Sequence, residues 1–221
     1  MKRWMIAGIM LAVAAGVAPW APAGAPAFAQ SQFGDEPEDA DAVRVAAAVV
    51  REISAIPEKA MPPALLKNAH AIAVIPNVIK AGLVVGGRYG KGVLLVRDAA
   101  GGWQAPAEIS ITSGSLGWQI GVQSTDVILV FKTPRSVQGL ASGKVTLGAD
   151  ASVAAGPVGR HAEAATDIQL KAEVYSYSRN RGLFAGVSFE GSGLQTGKTL
   201  KAPKAARELQ EAIDKASAGR R

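Results

Sequence analysis

Ala71-Ile72-Ala73-Val74-Ile75-Pro76 is wholly apolar up to its proline. A run this short, closed by a proline, reads as a buried strand rather than a helix. Working forward, Leu83-Val84-Val85 and Gly92–Val96 have the same texture. Gly86-Gly87-Arg88-Tyr89-Gly90-Lys91 lies between them and reads as a glycine-rich turn. Asp98–Gly102 is a second turn. Trp103–Ile111, Leu116–Val122 and Asp126–Phe131 then follow at the short, even spacing of an antiparallel sheet. Val145–Val153 sets Val145, Leu147, Ala149, Ala151 and Val153 against Thr146, Gly148, Asp150 and Ser152, the alternation of one half-buried strand.

Helices are expected at the two ends. Val43, Ala46, Ala47, Val50 and Ile53 recur at helical spacing, with acidic residues in front that favour a helix N-terminus. Pro62-Pro63 opens a short second helix, since proline is tolerated in a first turn. Pro134–Leu140 is a single helical interruption among the strands. Ala202–Ala216 closes the chain as a helix with Ala206, Leu209 and Ile213 on one side. The class implied is α+β, a large antiparallel β-sheet or partial barrel flanked by a few helices at the N- and C-terminal ends.

Tyr175–Gly191 gathers three more aromatics after Tyr175 together with Arg179 and Arg181, in a chain that is only 5% aromatic. Strand-forming residues flank Asn180-Arg181-Gly182, which has the chemistry of a tight reversal. The expected element is a β-hairpin with Arg179 and Arg181 at its tip, entered from Ile168–Tyr177.

The N-terminus has the layout of a secretory signal. Lys2 and Arg3 precede an apolar run from Trp4 to Val17, then a proline-broken segment and Ala27-Phe28-Ala29, a small-x-small cleavage site. Residues 1–29 are thus expected to be a signal peptide, with residues 30–221 a single domain exported to the periplasm or secreted. Cysteine is absent, which excludes a disulfide framework and cysteine-ligated zinc. The formal charge is +6, and removing Lys2 and Arg3 leaves 22 basic against 18 acidic residues, or +4. A mildly basic exported protein suits anionic lipid headgroups at least as well as nucleic acid, which it would rarely meet there.

Several segments together resemble the SYLF-domain family. They are Ala73–Pro76, Gly86–Gly92, Trp103–Ala107, Gly121–Asp126, Gly156–Arg160 and Tyr177–Gly191, and they occur in the order and spacing of that family from about Val43 to Leu194. The resemblance implies a non-enzymatic lipid-binding module for phosphoinositides or other anionic phospholipids. It also implies kinship with a yeast branch that binds actin, a partner that an exported protein would not meet. Binding to an envelope protein is the alternative.

The residues expected to hold a headgroup are Arg88, Lys91, Arg160, Arg179 and Arg181, each in or beside a glycine-containing turn. Guanidinium groups grip phosphate bidentately, and turn N–H groups add fixed donors. Lys198, Lys201, Lys204 and Arg207 form a secondary basic surface. No catalytic, metal or cofactor site is expected. His70 and His161 are far apart, and no nucleophile has a base placed beside it. Gly191–Thr199 resembles a nucleotide-binding loop, but Ser192 stands where the first glycine is required, so no nucleotide is expected.

Overall fold

The computed structural model describes residues 36–82, 85–116, 121–158, 171–180 and 189–219. They form four helices, α1 (Glu36–Ala55), α2 (Pro63–Lys67), α3 (Pro134–Ala141) and α4 (Pro203–Ala218). Eight strands accompany them. These are β1 (Ala71–Gly82), β2 (Val85–Val96), β3 (Ala107–Leu116), β4 (Gly121–Phe131), β5 (Lys144–Thr146), β6 (Val153–Ala155), β7 (Val174–Asn180) and β8 (Gly193–Thr199). All belong to one sheet in the order β5-β8-β3-β2-β1-β4-β7-β6, antiparallel except for the parallel β6–β7 pair.

The two edge strands are consecutive in the chain. Only Leu147–Ser152 separates β5 from β6, and Leu147 bridges Ala151. The sheet must therefore curl until its edges meet within one turn, giving a half-barrel. All eight strands supply apolar side chains to its interior, among them Ile75, Ile109, Ile111, Leu129 and Phe131, each fully buried. The outer face of β1, β2, β4 and β7 lies under α1, α2 and α4, with Ile72, Val74, Ile128 and Val130 packed against Val50, Ile53, Leu65 and Leu209. Apolar burial on both faces is why β1 and β4 read as continuous hydrophobic runs.

Both terminal helices follow from their patterns. Val43, Ala46, Ala47, Val50 and Ile53 are all buried, and α1 stops just ahead of Pro57. Pro203 occupies the first turn of α4, which buries Ala205, Ala206, Leu209, Ala212 and Ile213. In α3 the Thr133 side chain accepts a hydrogen bond from the Ser136 backbone N–H and caps the helix.

Four strand expectations change. β1 does not end at Pro76. It passes through a bulge at Pro76-Asn77, where Asn77 takes φ 49°, and its register shifts against both neighbours. The extra residue removes the need for a Pro76 N–H in the ladder, so the strand resumes as far as Gly82. Gly86–Lys91 is not a turn but part of continuous β2. Of the expected strand Leu116–Val122, Leu116 is the last residue of β3 and Gly121-Val122 the first two of β4, while residues 117–120 lie outside the described residues. Val145–Val153 is two strands. Gly148 at φ 89° turns the chain out of β5, the Asp150 carboxylate accepts the Thr146 backbone N–H at 2.7 Å, and Leu147 and Ala151 form a parallel bridge. Gly193–Thr199, inside the segment that resembles a nucleotide loop, is the antiparallel strand β8. The expected tip and return strand of the Tyr175–Gly191 hairpin lie largely outside the described residues. Its first strand is β7, paired with β4.

Candidate functional site

The bulge in β1 resets the side-chain alternation, and that decides which basic residues share a face. Before it, Ala71, Ala73 and Ile75 point inward; after it Val78 does. By the same alternation Lys80 lies on the inner face, directly opposite Arg88 of β2. The Arg88 guanidinium carbon stands 4.7 Å from the centroid of the Phe189 ring, which is itself buried in the interior. Burial lowers the Arg88 pKa from the ordinary arginine value. Gln123 of β4 and Ser113 of β3 complete the row on either side, giving Gln123–Lys80–Arg88–Ser113 across four strands.

Two glycines hold β2 close beneath the bulge. A Cβ on Gly90 would lie 2.8 Å from Val78 Cγ2, and one on Gly92 would lie 2.1 Å from the Val74 carbonyl oxygen. Of the glycines that look like turn chemistry in the sequence, Gly90 is there for close strand approach, whereas a Cβ on Gly87 would meet only the Ser113 carbonyl oxygen, at 3.7 Å.

Arg179 has a different setting. Its Nη2 donates to Asp126 Oδ2 at 2.8 Å, and its Nη1 is ion-paired with Glu52 of α1. Asp126 is 1% exposed, and its Oδ1 accepts the Asn77 backbone N–H at 3.0 Å. One carboxylate thus pins the bulge and anchors the arginine, and the arginine ties the sheet to α1. The Asp126 hydrogen bond raises the Arg179 pKa, against a smaller opposing effect of burial, and Glu52 adds to the rise. With two carboxylates on it, the guanidinium acts as a structural tie.

The other expected contacts are scattered. Lys91 lies on the outer face, three positions along the strand from Arg88, and pairs with Glu108 at 3.2 Å. Arg88 and Lys91 therefore do not converge. Arg160 and Arg181 lie outside the described residues. In the C-terminal series, Lys198 of β8 pairs with the buried Asp39 of α1 at 3.1 Å, and Asp39 also accepts the Lys201 backbone N–H at 2.9 Å. Lys201, Lys204 and Arg207 are exposed, the last two on the first turns of α4.

Lys80 and Asp126 escape sequence reading. Lys80 follows a proline that looks like the end of its strand, and Asp126 looks like the start of one. The alternation that places Lys80 beside Arg88 needs the bulge to be counted.

A family model described as "Ysc84: Las17-binding protein actin regulator" matches residues 112–203. The chain is 41% identical over 157 residues to the Xenopus laevis "SH3 domain-containing YSC84-like protein 1", covering 68% of this chain and 47% of that one. The Homo sapiens protein of the same name is 38% identical over 155 residues, covering 67% and 45%. "LAS seventeen-binding protein 3" of Saccharomyces cerevisiae strain ATCC 204508 / S288c is 40% identical over 140 residues, covering 62% and 30%. The chain spans about half the length of the animal relatives it matches, and less of the yeast one.

Proposed function

The chain belongs to the Ysc84/SYLF family, and from that premise we propose that it is a non-enzymatic module that binds anionic phospholipid headgroups. The observation that carries this reading is the Lys80–Arg88 pair, two cations at directly opposed positions on one face with Phe189 beneath the guanidinium. The planar guanidinium offers a phosphate two parallel donors, and the Lys80 ammonium opposite adds a second positive charge on the same face.

The interior argues for headgroup docking over enclosure of an acyl chain. Ala71, Ala73 and Ile75, with Val127, Leu129 and Phe131 and with Ile109 and Ile111, fill the barrel interior with the protein's own side chains. No helix among the described residues is long and apolar enough to cross a membrane. We read residues 1–29 as an export signal, so the membrane concerned is one of the envelope, met in the periplasm or from outside.

Co-sedimentation of the protein with phosphatidylglycerol vesicles over a salt series tests this. Binding should weaken as salt rises. Each cation near an anionic surface contributes about 1 kcal/mol, so Lys80→Gln plus Arg88→Gln should weaken binding about thirty-fold. Absence of binding at low salt, or binding indifferent to salt, would refute the reading.

The family model's description, naming a Las17-binding actin regulator, favours a second reading in which the module serves a protein partner. A partner retained from an envelope extract by the native protein, with vesicle binding absent, would support it.

A further inference from the structure

Four strands end together at one edge of the half-barrel. Beyond the Gln123–Lys80–Arg88–Ser113 row, the next row is Val122–Ala81–Gly87–Gly114. The one after that brings together Gly121, Gly82, Gly86 and Ser115, and Val85 pairs with Leu116 at the far end. None of these described positions carries a charge. One row behind the cations, on the outer face, Ile79 and Tyr89 are direct cross-strand partners and stay 49% and 48% exposed. The order inward from the edge is therefore uncharged small and apolar residues, then two cations, then an exposed aromatic beside an exposed aliphatic.

That order matches the layering of a membrane surface. Rows advance about 3.4 Å per residue, so the cationic row lies about 10 Å behind the Val85–Leu116 pair at the edge. Interfacial elements sink about 5–10 Å into the boundary between headgroups and acyl chains. Tyrosine is enriched at the headgroup level, where its ring and hydroxyl suit a surface apolar on one side and wet on the other.

Resting on the headgroup reading above, we propose that this edge, the joined ends of β1, β2, β3 and β4, is the membrane-facing surface. The sheet enters an anionic bilayer edge-on, to the depth at which Lys80 and Arg88 reach the phosphates. The occupant is the lipid surface itself, chosen by the pairing of an uncharged rim with a cationic row behind it.

The absence of cysteine makes the test direct. Single-cysteine variants Ala81→Cys and Gly114→Cys are labelled with an environment-sensitive fluorophore, with Ser142→Cys and Glu211→Cys as controls. A Cβ on Gly114 meets nothing within 4 Å, and Ala81, Ser142 and Glu211 are exposed, so the fold should tolerate each. With phosphatidylglycerol vesicles, the labels at 81 and 114 should shift to the blue and brighten while those at 142 and 211 stay unchanged. Vesicle binding with silent labels at 81 and 114 overturns this orientation and leaves the headgroup reading standing. Absence of co-sedimentation overturns both. A blue shift that appears without vesicles and grows with protein concentration assigns the edge to a second copy of the chain and overturns the proposal.

Discussion

Asp126 and Arg179 face each other across β4 and β7 at directly paired positions, and their 2.8 Å contact is shielded from water on the carboxylate side. Removing the arginine would leave a buried charge with, among the described residues, only the Asn77 N–H. Arg179→Ala is therefore expected to destabilise the fold by about 3 kcal/mol in denaturant titration. Adding Asp126→Asn should recover part of the loss, because the amide has no charge to desolvate. Any loss of lipid binding in Arg179→Ala should track unfolding, whereas the Lys80 and Arg88 variants should lose binding while folded.

Gly92 admits no side chain. The missing Cβ would meet main-chain atoms of Val74 and Ile75, and backbone cannot swing aside as a side-chain tip can. Gly92→Ala should cost about 1–3 kcal/mol by forcing β1 and β2 apart, measured by equilibrium unfolding. Gly114→Ala, with open space around it, is the matched control and should change little.

Tyr177 carries the opposite liability. Its hydroxyl is buried with no hydrogen-bond partner among the described residues, and burial, with Tyr175 nearby, raises its pKa above the ordinary tyrosine value. Tyr177→Phe keeps the ring that packs on Gly156 and removes the unsatisfied group. It should leave stability unchanged or raise it by about 1 kcal/mol, seen as a higher denaturation midpoint.

Asp39 sets an acid limit. Burial would raise its carboxyl pKa, but the Lys201 N–H and the Lys198 ammonium outweigh burial and hold it below the ordinary aspartate range. A carboxylate depressed in the folded state stabilises it above the unfolded pKa of about 4, and the contribution is lost as pH falls through the lower folded value. Urea titrations should show the native protein ahead of Asp39→Asn at neutral pH, with the gap closing below about pH 4.

Much of the architecture is visible in residue patterns because burial is periodic. The helices at both ends announce themselves through Val43–Ile53 and Ala205–Ile213, and the buried strands through Ala71–Ile75 and Val127–Phe131. What fails are places where one local pattern has two physical meanings. Proline at 76 can end a strand or occupy a bulge, and only pairing on both sides of β1 distinguishes them. Glycines at 86, 87, 90 and 92 signal either a reversal or close strand approach. The alternation from Val145 to Val153 is the same whether the chain runs straight or turns at Gly148, since Val145, Leu147 and Ala151 are buried in both cases. The candidate site inherits these ambiguities. Arg88 is visible, but its neighbour is Lys80 rather than Lys91, a consequence of a single inserted residue.

The meeting of β5 and β6 bears on how the protein behaves at high concentration. An open sheet presents two rows of unpaired N–H and C=O groups on which another chain can add a strand. Here each edge strand is three residues long, and both run directly into the same turn at Leu147–Ser152. Neither offers enough straight backbone to seed stacking of further copies. The curl that builds the barrel interior thereby also guards a cysteine-free, highly β-structured chain against growing into fibrils.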